Sequence, residues 1–204
     1  MTGRKTYHHG NLRDALIDAA LRQIAETGPQ AFSLASAARA AGVSAAAPYR
    51  HFKNREDVLE EIALRGFHEF GERVTRAYGD GGPVPLAALG RVGAAYLEFA
   101  QERPAYYMAM FESGLLIAEN AALWEASENA FGILVRAAEA MAAALPPEDR
   151  PPARMVANHI WALSHGVVEL FARGTPGARS PISPQDMLRS GVLIYLRGLG
   201  LAGR

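Results

Sequence analysis

The stretch "FSLASAARAAGVSAAAPYRHFKNREDVL", residues 32–59, decides the fold of the N-terminal part of the chain. Ser33 stands where a helix N-cap is expected, and Gly42 supplies the positive φ angle that a tight turn needs. Ser44 can cap a second short helix that runs to about His51. Two short helices separated by three residues have the spacing of a helix-turn-helix.

The second of these helices contains a proline, which removes a backbone hydrogen bond inside a helix. With Ser44 as the N-cap, Pro48 takes the fourth helical position and loses only the bond to the Ser44 carbonyl. We therefore expect this helix to form despite the proline.

Helical spacing continues along the rest of the chain, and runs of alternating β-branched residues are missing. The first helix is predicted over about 11–27, and Asn54 with Asp57 resembles a capping box that opens a long helix to about Tyr78. The glycine- and proline-rich stretch at 79–85 is the strongest break. Further helices are predicted at about 85–102, 104–114, 118–145, 153–173 and 184–201.

The predicted fold class is therefore all-α, with two domains. A helix-turn-helix domain covers residues 1–58, which we call the head, and the long helix runs on from it to about residue 78 as a connector. A second helical domain, the body, covers residues 83–204.

Charge separates the head from the body although the net charge of the chain is zero. Residues 1–55 carry eight Lys/Arg and three Asp/Glu, a net charge of +5, and the remainder carries −5. A basic N-terminal quarter on an acidic body indicates an anion-binding head, with phosphate as the obvious ligand.

Several classes of protein are excluded or disfavoured by composition. The chain has no cysteine, which excludes disulfides, thiol catalysis and cysteine-bound metal. Its N-terminus lacks the apolar core of a signal peptide, and no uncharged apolar run approaches the roughly 18 residues that span a bilayer. We expect a cytoplasmic protein with no membrane contact and no cofactor.

The string at 32–59 closely resembles the signature of the tetracycline-repressor (TetR) family of transcriptional regulators. The Gly-Val-Ser turn, the Tyr-x-His-Phe end and the following Lys-x-Arg-Glu are in place, and Arg55 replaces a commoner lysine with the same charge. The resemblance is specific over about residues 11–65. "YHHGNLRDALIDAAL" and "APYRHF" are similar to one branch of the family, whose Trp…His-Gly signature matches Trp161, His165 and Gly166.

The resemblance implies an operator-binding head. Side chains at 49, 51, 53 and 55 can donate to phosphate oxygens, which fixes register without reading sequence. The alanines at 45–47 have no donor or acceptor, so we expect recognition by fit, with help from Ser44, Arg50 or Arg39. Arg4 and Lys5 form either a minor-groove arm or a solvated tail. The expected DNA-binding residues are Ser33, Ser44, Ala45, Ala46, Ala47, Pro48, Tyr49, Arg50, His51, Lys53 and Arg55.

The body holds most of the large apolar side chains. Any one of them is a core residue by default, but together they predict a cavity for a small, largely apolar effector. The expected ligand-binding residues are Phe99, Tyr107, Phe111, Trp124, Phe131, His159, Trp161 and His165. Glu169 and His165 share a helix face with Trp161, yet no nucleophile or metal cluster accompanies them, so we do not expect an enzyme.

The resemblance also implies a homodimer through the last two long helices, about 153–173 and 184–202. Small residues there, such as Ala157, Ser164 and Gly191, allow close helix approach. A repressor released from a palindromic operator by its effector is the expected function. The alternatives are a DNA-bound scaffold or nucleoid-type protein whose body recruits a protein partner, and an enzyme on a helical bundle.

Overall fold

Eight α-helices form the regular structure of residues 9–172 and 180–203, the parts of the chain that the computed structural model describes, and no strand occurs in them. The predicted all-α fold is confirmed. The predicted arm at Arg4 and Lys5 lies outside the described residues. The helices are α1 (His9–Thr27), α2 (Leu34–Ala40), α3 (Arg55–Tyr78), α4 (Pro85–Glu102), α5 (Pro104–Phe111), α6 (Ala121–Ala142), α7 (Ala153–Val167) and α8 (Pro184–Gly198).

Local signals in the sequence set the ends of the first three helices. The chain leaves α1 through Gly28, whose φ of 81° is the left-handed conformation that favours glycine. The Ser33 hydroxyl accepts from the Ser36 N–H at 3.2 Å at the start of α2. The Asn54 side-chain oxygen accepts from the Asp57 N–H at 2.8 Å at the start of α3. Both predicted caps are confirmed.

The prediction of a second short helix from Ser44 to about His51 is wrong. Pro48 has no N–H for the Ser44 carbonyl, which instead accepts from the Ala47 N–H at 3.0 Å across a three-residue turn. A 3₁₀-helical turn (Pro48–Arg50) follows, closed by the His51 N–H on the Pro48 carbonyl at 2.9 Å. The proline therefore converts the helix into two successive tight turns. We call residues 44–51 the reading segment.

Later helices are shorter than predicted because side chains close their ends. The Ser113 hydroxyl donates to the Ala109 carbonyl at 2.6 Å, and Gly114 turns the chain away from α5 with a φ of 81°. The Asn120 side-chain oxygen accepts from the N–H of Leu123 at 3.1 Å, so it caps α6. Helix α7 continues as a π-helical turn (Val168–Ala172) in place of the predicted α-helix to 173.

The helices group into two compact units. The first comprises Met1–Gly66 and Pro104–Leu123. Its core is built from side chains on α1, α2 and α3, and α1 also packs against α5. On α1, the core residues Ile17, Ala20 and Ile24 are inaccessible to solvent.

The second unit comprises Phe67–Arg103 and Trp124–Arg204. Within it α4, α7 and α8 pack on one another. Its core side chains include Leu97, Phe99, Ile133 and Leu196. This division assigns α5 to the unit that holds the head, whereas the predicted domain boundaries, 1–58 and 83–204, follow the order of the chain.

Candidate nucleic-acid interface and effector site

The reading segment presents an exposed, nearly featureless surface. Ser44, Ala45 and Ala46 are exposed, and Tyr49 is the large apolar side chain most open to solvent in the described part of the head, at 59 %. Arg50 is exposed beside it. The segment therefore offers methyl groups, the hydroxyls of Ser44 and Tyr49 and one guanidinium to a partner, and its 3₁₀ turn sets their spacing.

Backbone hydrogen bonds fix the turn that leads into this segment. The Gly42 N–H donates to the Arg39 carbonyl at 3.1 Å, and the Val43 N–H donates to the Ala38 carbonyl at 3.0 Å. Gly42 has a φ of 71°, as predicted. These two bonds connect the last turn of α2 to the two residues that precede the reading segment.

The cations of the described part of the head fall into two sets. Arg13 forms an ion pair with Glu61 at 2.9 Å, and Arg55 forms one with Glu56 at 3.3 Å. The others are exposed and form no ion pair with a described residue, namely Arg22, Arg39, Arg50 and Lys53. These four retain their charge for an external anion. Sequence reasoning missed Arg22, because nothing in its pattern on α1 distinguishes it from any other solvated surface cation.

Arg55 has a structural role that differs from the predicted phosphate contact. Its Nη2 donates to the Pro29 carbonyl at 2.6 Å and its Nε donates to the Phe32 carbonyl at 3.1 Å. These bonds hold the chain between α1 and α2 against the start of α3. Pro48 also differs from its predicted role, because it is buried and shapes the reading segment without offering a surface to DNA.

Ser33 belongs to a small polar network that connects the start of α2 with α1. Its hydroxyl lies 2.9 Å from that of Ser36, which in turn donates to the side-chain oxygen of Gln23 on α1. The Gln23 amide donates to the Ala31 carbonyl at 3.2 Å. The exposed Ser33 side chain is thus held in place, which suits a positioning contact to phosphate.

A charged network supports the far end of the reading segment. The Arg13 guanidinium lies 5.3 Å from the centroid of the Phe52 ring and bonds Glu61 at 2.9 Å. Hydrogen bonding with Arg13 holds the pKa of Glu61 below its ordinary value. His51 lines a polar cavity of about 230 Å³ together with these three residues.

In the second unit, aromatic side chains form a continuous row. Phe99 packs on Phe70 at 5.2 Å between ring centroids, and Phe70 packs edge-on to Tyr96 at 5.2 Å. The Tyr96 hydroxyl lies 3.3 Å from Nδ1 of His165. Sequence reasoning missed Phe70 and Tyr96, although the buried spacing of Val92, Tyr96 and Phe99 on α4 is a signal for the latter.

The row continues from His165 towards the surface. Trp161 lies 6.5 Å from His165 and 5.9 Å from Phe131, and it is 39 % exposed. Arg154 covers the other side of Phe131 at 5.0 Å, and its charge is balanced by Glu128 at 2.9 Å. We call this set the aromatic row; it is largely uncharged and reaches solvent at one end. Its members are Phe70, Tyr96, Phe99, Phe131, Trp161 and His165.

The other predicted ligand-binding residues are not members of this row. Tyr107 and Phe111 belong to the first unit, where their rings pack at 4.9 Å. Trp124 is exposed at the start of α6. Nδ1 of His159 lies 2.7 Å from the hydroxyl of Tyr195, whose pKa is raised by burial, so this pair ties α7 to α8.

An exposed apolar stripe runs along α7 and α8. Met155, Leu163 and Leu170 recur at intervals of about two turns and are exposed. Ile194 on α8 is 71 % exposed, and Leu163 lies beside Gly191 of the same helix. We call these four exposed side chains the outer stripe. Ala157 and Ser164, predicted to give close helix approach to a partner, are instead buried within the protomer.

Metal ligation and membrane insertion find no support in the described residues. No group of three or more His, Asp or Glu side chains in them is arranged to hold a metal ion. No helix within those ranges is both long enough and apolar enough to cross a membrane.

Comparison with known proteins places both parts of the chain in one family. Residues 16–62 match the family of bacterial regulatory proteins described as the tetR family, and residues 89–193 match the tetracyclin repressor-like C-terminal domain. No curated protein matches the chain.

Solved structures share the fold over nearly the full length. A protein of unknown function from Rhodococcus sp. RHA1 is 27 % identical, covers 96 % of this chain and 98 % of its own, and has a TM-score of 0.78. A tetR-family regulatory protein from Rhodococcus RHA1 is 22 % identical over 94 % and 98 %, with a TM-score of 0.74.

A fatty acid degradation regulator, FadR from Bacillus halodurans, is 18 % identical over 95 % of this chain and 98 % of its own, with a TM-score of 0.71. At this identity the similarity shows the fold alone. Together with the two family matches, these findings establish that the chain belongs to the tetracycline-repressor (TetR) family of DNA-binding regulators.

Proposed function

We propose that this regulator is a repressor that binds a palindromic operator as a homodimer and leaves it when a small apolar effector binds the body. One observation carries the DNA-binding step: four cations of the head, Arg22, Arg39, Arg50 and Lys53, are exposed and form no ion pair among the described residues. Exposed, unpaired cations around a helix-turn-helix are suited to phosphate contacts. Such a protein works in the compartment that holds the DNA, the cytoplasm of a bacterium.

Phosphate anchoring carries most of the affinity in this proposal. The reading segment has few groups that can form paired hydrogen bonds with bases, whereas Tyr49 and its cationic neighbours can hold the DNA backbone. Tyr49→Ala is therefore expected to weaken binding to all DNA sequences by a similar factor. A change in base preference would contradict a phosphate role for Tyr49.

A homodimer is supported by the outer stripe. Apolar side chains as exposed as Ile194 and Leu163 are costly to leave in water, and a second copy of the same two helices would cover them. Two-fold symmetry would also double the DNA contact across two half-sites.

The dimer has a direct test in solution. Ile194→Asp is expected to shift the protein towards monomer in sedimentation velocity, because it buries a charge in the proposed interface. Leu116→Asp is the matched control, since Leu116 is similarly exposed, at 66 %, but belongs to the first unit. Equal oligomeric states for both variants would contradict the assignment of the interface.

The effector site is proposed at the aromatic row. Its side chains are mainly uncharged, and the two cations that lie over its rings, Arg73 at Phe99 and Arg154 at Phe131, are each paired with a glutamate, so a largely apolar ligand fits best. An effector that weakens DNA binding must itself bind the DNA-free protein more tightly. Trp161→Ala is expected to abolish effector-dependent release while leaving DNA affinity without effector unchanged.

Selection of bound sequences from a random DNA pool at near-physiological salt tests the regulator function. The expected result is a palindromic motif with two half-sites about one helical turn apart. Tight binding without any enriched motif would contradict this function and favour a nucleoid-type scaffold.

A further inference from the structure

We infer that Arg39, at the end of α2, reads a guanine in each half-site through paired hydrogen bonds and supplies the base recognition that the reading segment lacks. This inference rests on the proposed function. It assigns to α2, the first helix of the helix-turn-helix, a base contact that the side chains of the reading segment cannot provide.

The chemistry of the reading segment limits the bases it can distinguish. Its N-terminal residues, which approach base edges in a helix-turn-helix, are Ser44, Ala45 and Ala46. A hydroxyl bonds to several bases with little discrimination, and a methyl group makes contact only with thymine. Discrimination of guanine requires two donors held in a plane, and the guanidinium of arginine is the side chain that provides them.

Among the free arginines, Arg39 has the best position for this contact. Arg22 lies on α1, and Arg50 lies in the 3₁₀ turn beside Tyr49, at the C-terminal end of the reading segment. Arg39 lies in the last turn of α2, and its carbonyl accepts the N–H of Gly42, which leads directly to Ser44. Arg39 is therefore the unpaired arginine of the helix that leads into the residues that meet the bases, on their N-terminal side.

The fold does not use the Arg39 side chain. The buried face of α2 consists of Leu34, Ala37 and Ala38, and Arg39 lies outside it. Its side chain is exposed and forms no hydrogen bond or ion pair with another described residue. A cation in the last turn also favours the helix dipole, but lysine does this equally well.

The test separates the positive charge of the Arg39 side chain from the planar arrangement of its hydrogen-bond donors. Arg39→Lys keeps the positive charge and removes the planar pair of donors, so it separates base reading from phosphate contact. Wild type, Arg39→Lys, and the matched controls Arg22→Lys and Arg50→Lys are each used to select from the same random DNA pool. Thermal melting of all four proteins checks that the fold is unchanged.

The expected wild-type motif contains a guanine at the same position of both half-sites. With Arg39→Lys, the preference for that guanine falls by roughly tenfold or more, while affinity for unrelated DNA stays within about twofold and the other positions keep their preference. The two control variants, Arg22→Lys and Arg50→Lys, keep the preference for the guanine. This result supports the inference.

Four results would overturn it. A wild-type motif without a shared guanine, or an unchanged motif for Arg39→Lys, contradicts base reading by Arg39 and leaves the proposed function intact. If Arg50→Lys loses the preference for the guanine and Arg39→Lys keeps it, Arg50 is the arginine that reads the base. A wild-type pool without any motif contradicts the proposed function and this inference together.

Discussion

Individual arginines in the head have different roles, and the hydrogen-bond partners of each side chain indicate its role. Arg55 bonds the carbonyls of Pro29 and Phe32, while Arg39 has no described partner. Both residues are basic and lie within a string that resembles a DNA-binding signature. The sequence cannot separate them, because the carbonyls that Arg55 reaches are more than 20 residues away along the chain.

Removal of the Arg55 side chain is expected to destabilise the protein. Arg55→Ala leaves two carbonyls without their charged donor, and the free energy of unfolding should fall by about 1–3 kcal/mol. Arg39→Ala is the control at an exposed site and should change it by about 0.5 kcal/mol or less. Urea denaturation measures both, and equal losses for the two variants would show that Arg55 does not hold the head together.

At the scale of elements, helix ends are predictable where one residue decides them. Ser33 and Asn54 cap their helices as predicted, and Gly42 turns the chain with the predicted positive φ. The reading segment is not predictable in the same way. A proline at position 48 is compatible with the first turn of a helix and also with tight turns. The packing of the buried proline decides between these two structures.

Gly42 and Gly90 form a matched pair that isolates backbone strain. A Cβ added at either position meets no atom within 4 Å, but Gly42 has a φ of 71° whereas Gly90 lies inside α4. Gly42→Ala should cost about 1 kcal/mol or more. Gly90→Ala should stabilise by up to about 1 kcal/mol. Thermal denaturation measures the stability change of each variant. Shifts of the melting temperature in the same direction for both variants would contradict the turn geometry at Gly42.

The contact between α1 and α3 is expected to weaken in acid. The folded pKa of Glu61 lies below its unfolded value of about 4.3, because its carboxylate bonds Arg13. The contribution of this ion pair to the free energy of unfolding is therefore complete above the unfolded pKa, and it is lost as the pH falls through the folded pKa.

Glu61→Gln is expected to flatten the acid dependence of stability between about pH 5 and pH 3. Denaturation in urea across this range is the measurement. Glu26→Gln, at an exposed site on α1 without an ion pair among the described residues, is the control. An acid slope unchanged by Glu61→Gln would mean that the Arg13–Glu61 pair contributes nothing to folding.

For the whole molecule, the separation of charge along the chain is enough to indicate a DNA-binding head, but it does not identify which cations are available. The aromatic row is only partly predictable for a related reason. Trp161 and His165 are neighbours on one helix face, whereas Phe70 joins them through packing from α3, which the sequence presents as a connector.

The four free cations in the described part of the head predict a strong salt dependence of binding. If each of them contacts one phosphate, a dimer neutralises about eight phosphates, and the logarithm of the association constant should fall with the logarithm of salt concentration with a slope of about −7. Arg50→Gln should reduce the slope by about 2 per dimer. A slope near zero would contradict phosphate anchoring.

The central claim is that two copies of this chain read a palindromic DNA site together. Titration of the selected palindrome, and of the same DNA with one half-site scrambled, into purified protein at fixed salt tests it most directly. We predict two protomers bound per palindrome and a loss of affinity of at least about tenfold when one half-site is scrambled. Equal affinity for the two DNAs would contradict the claim.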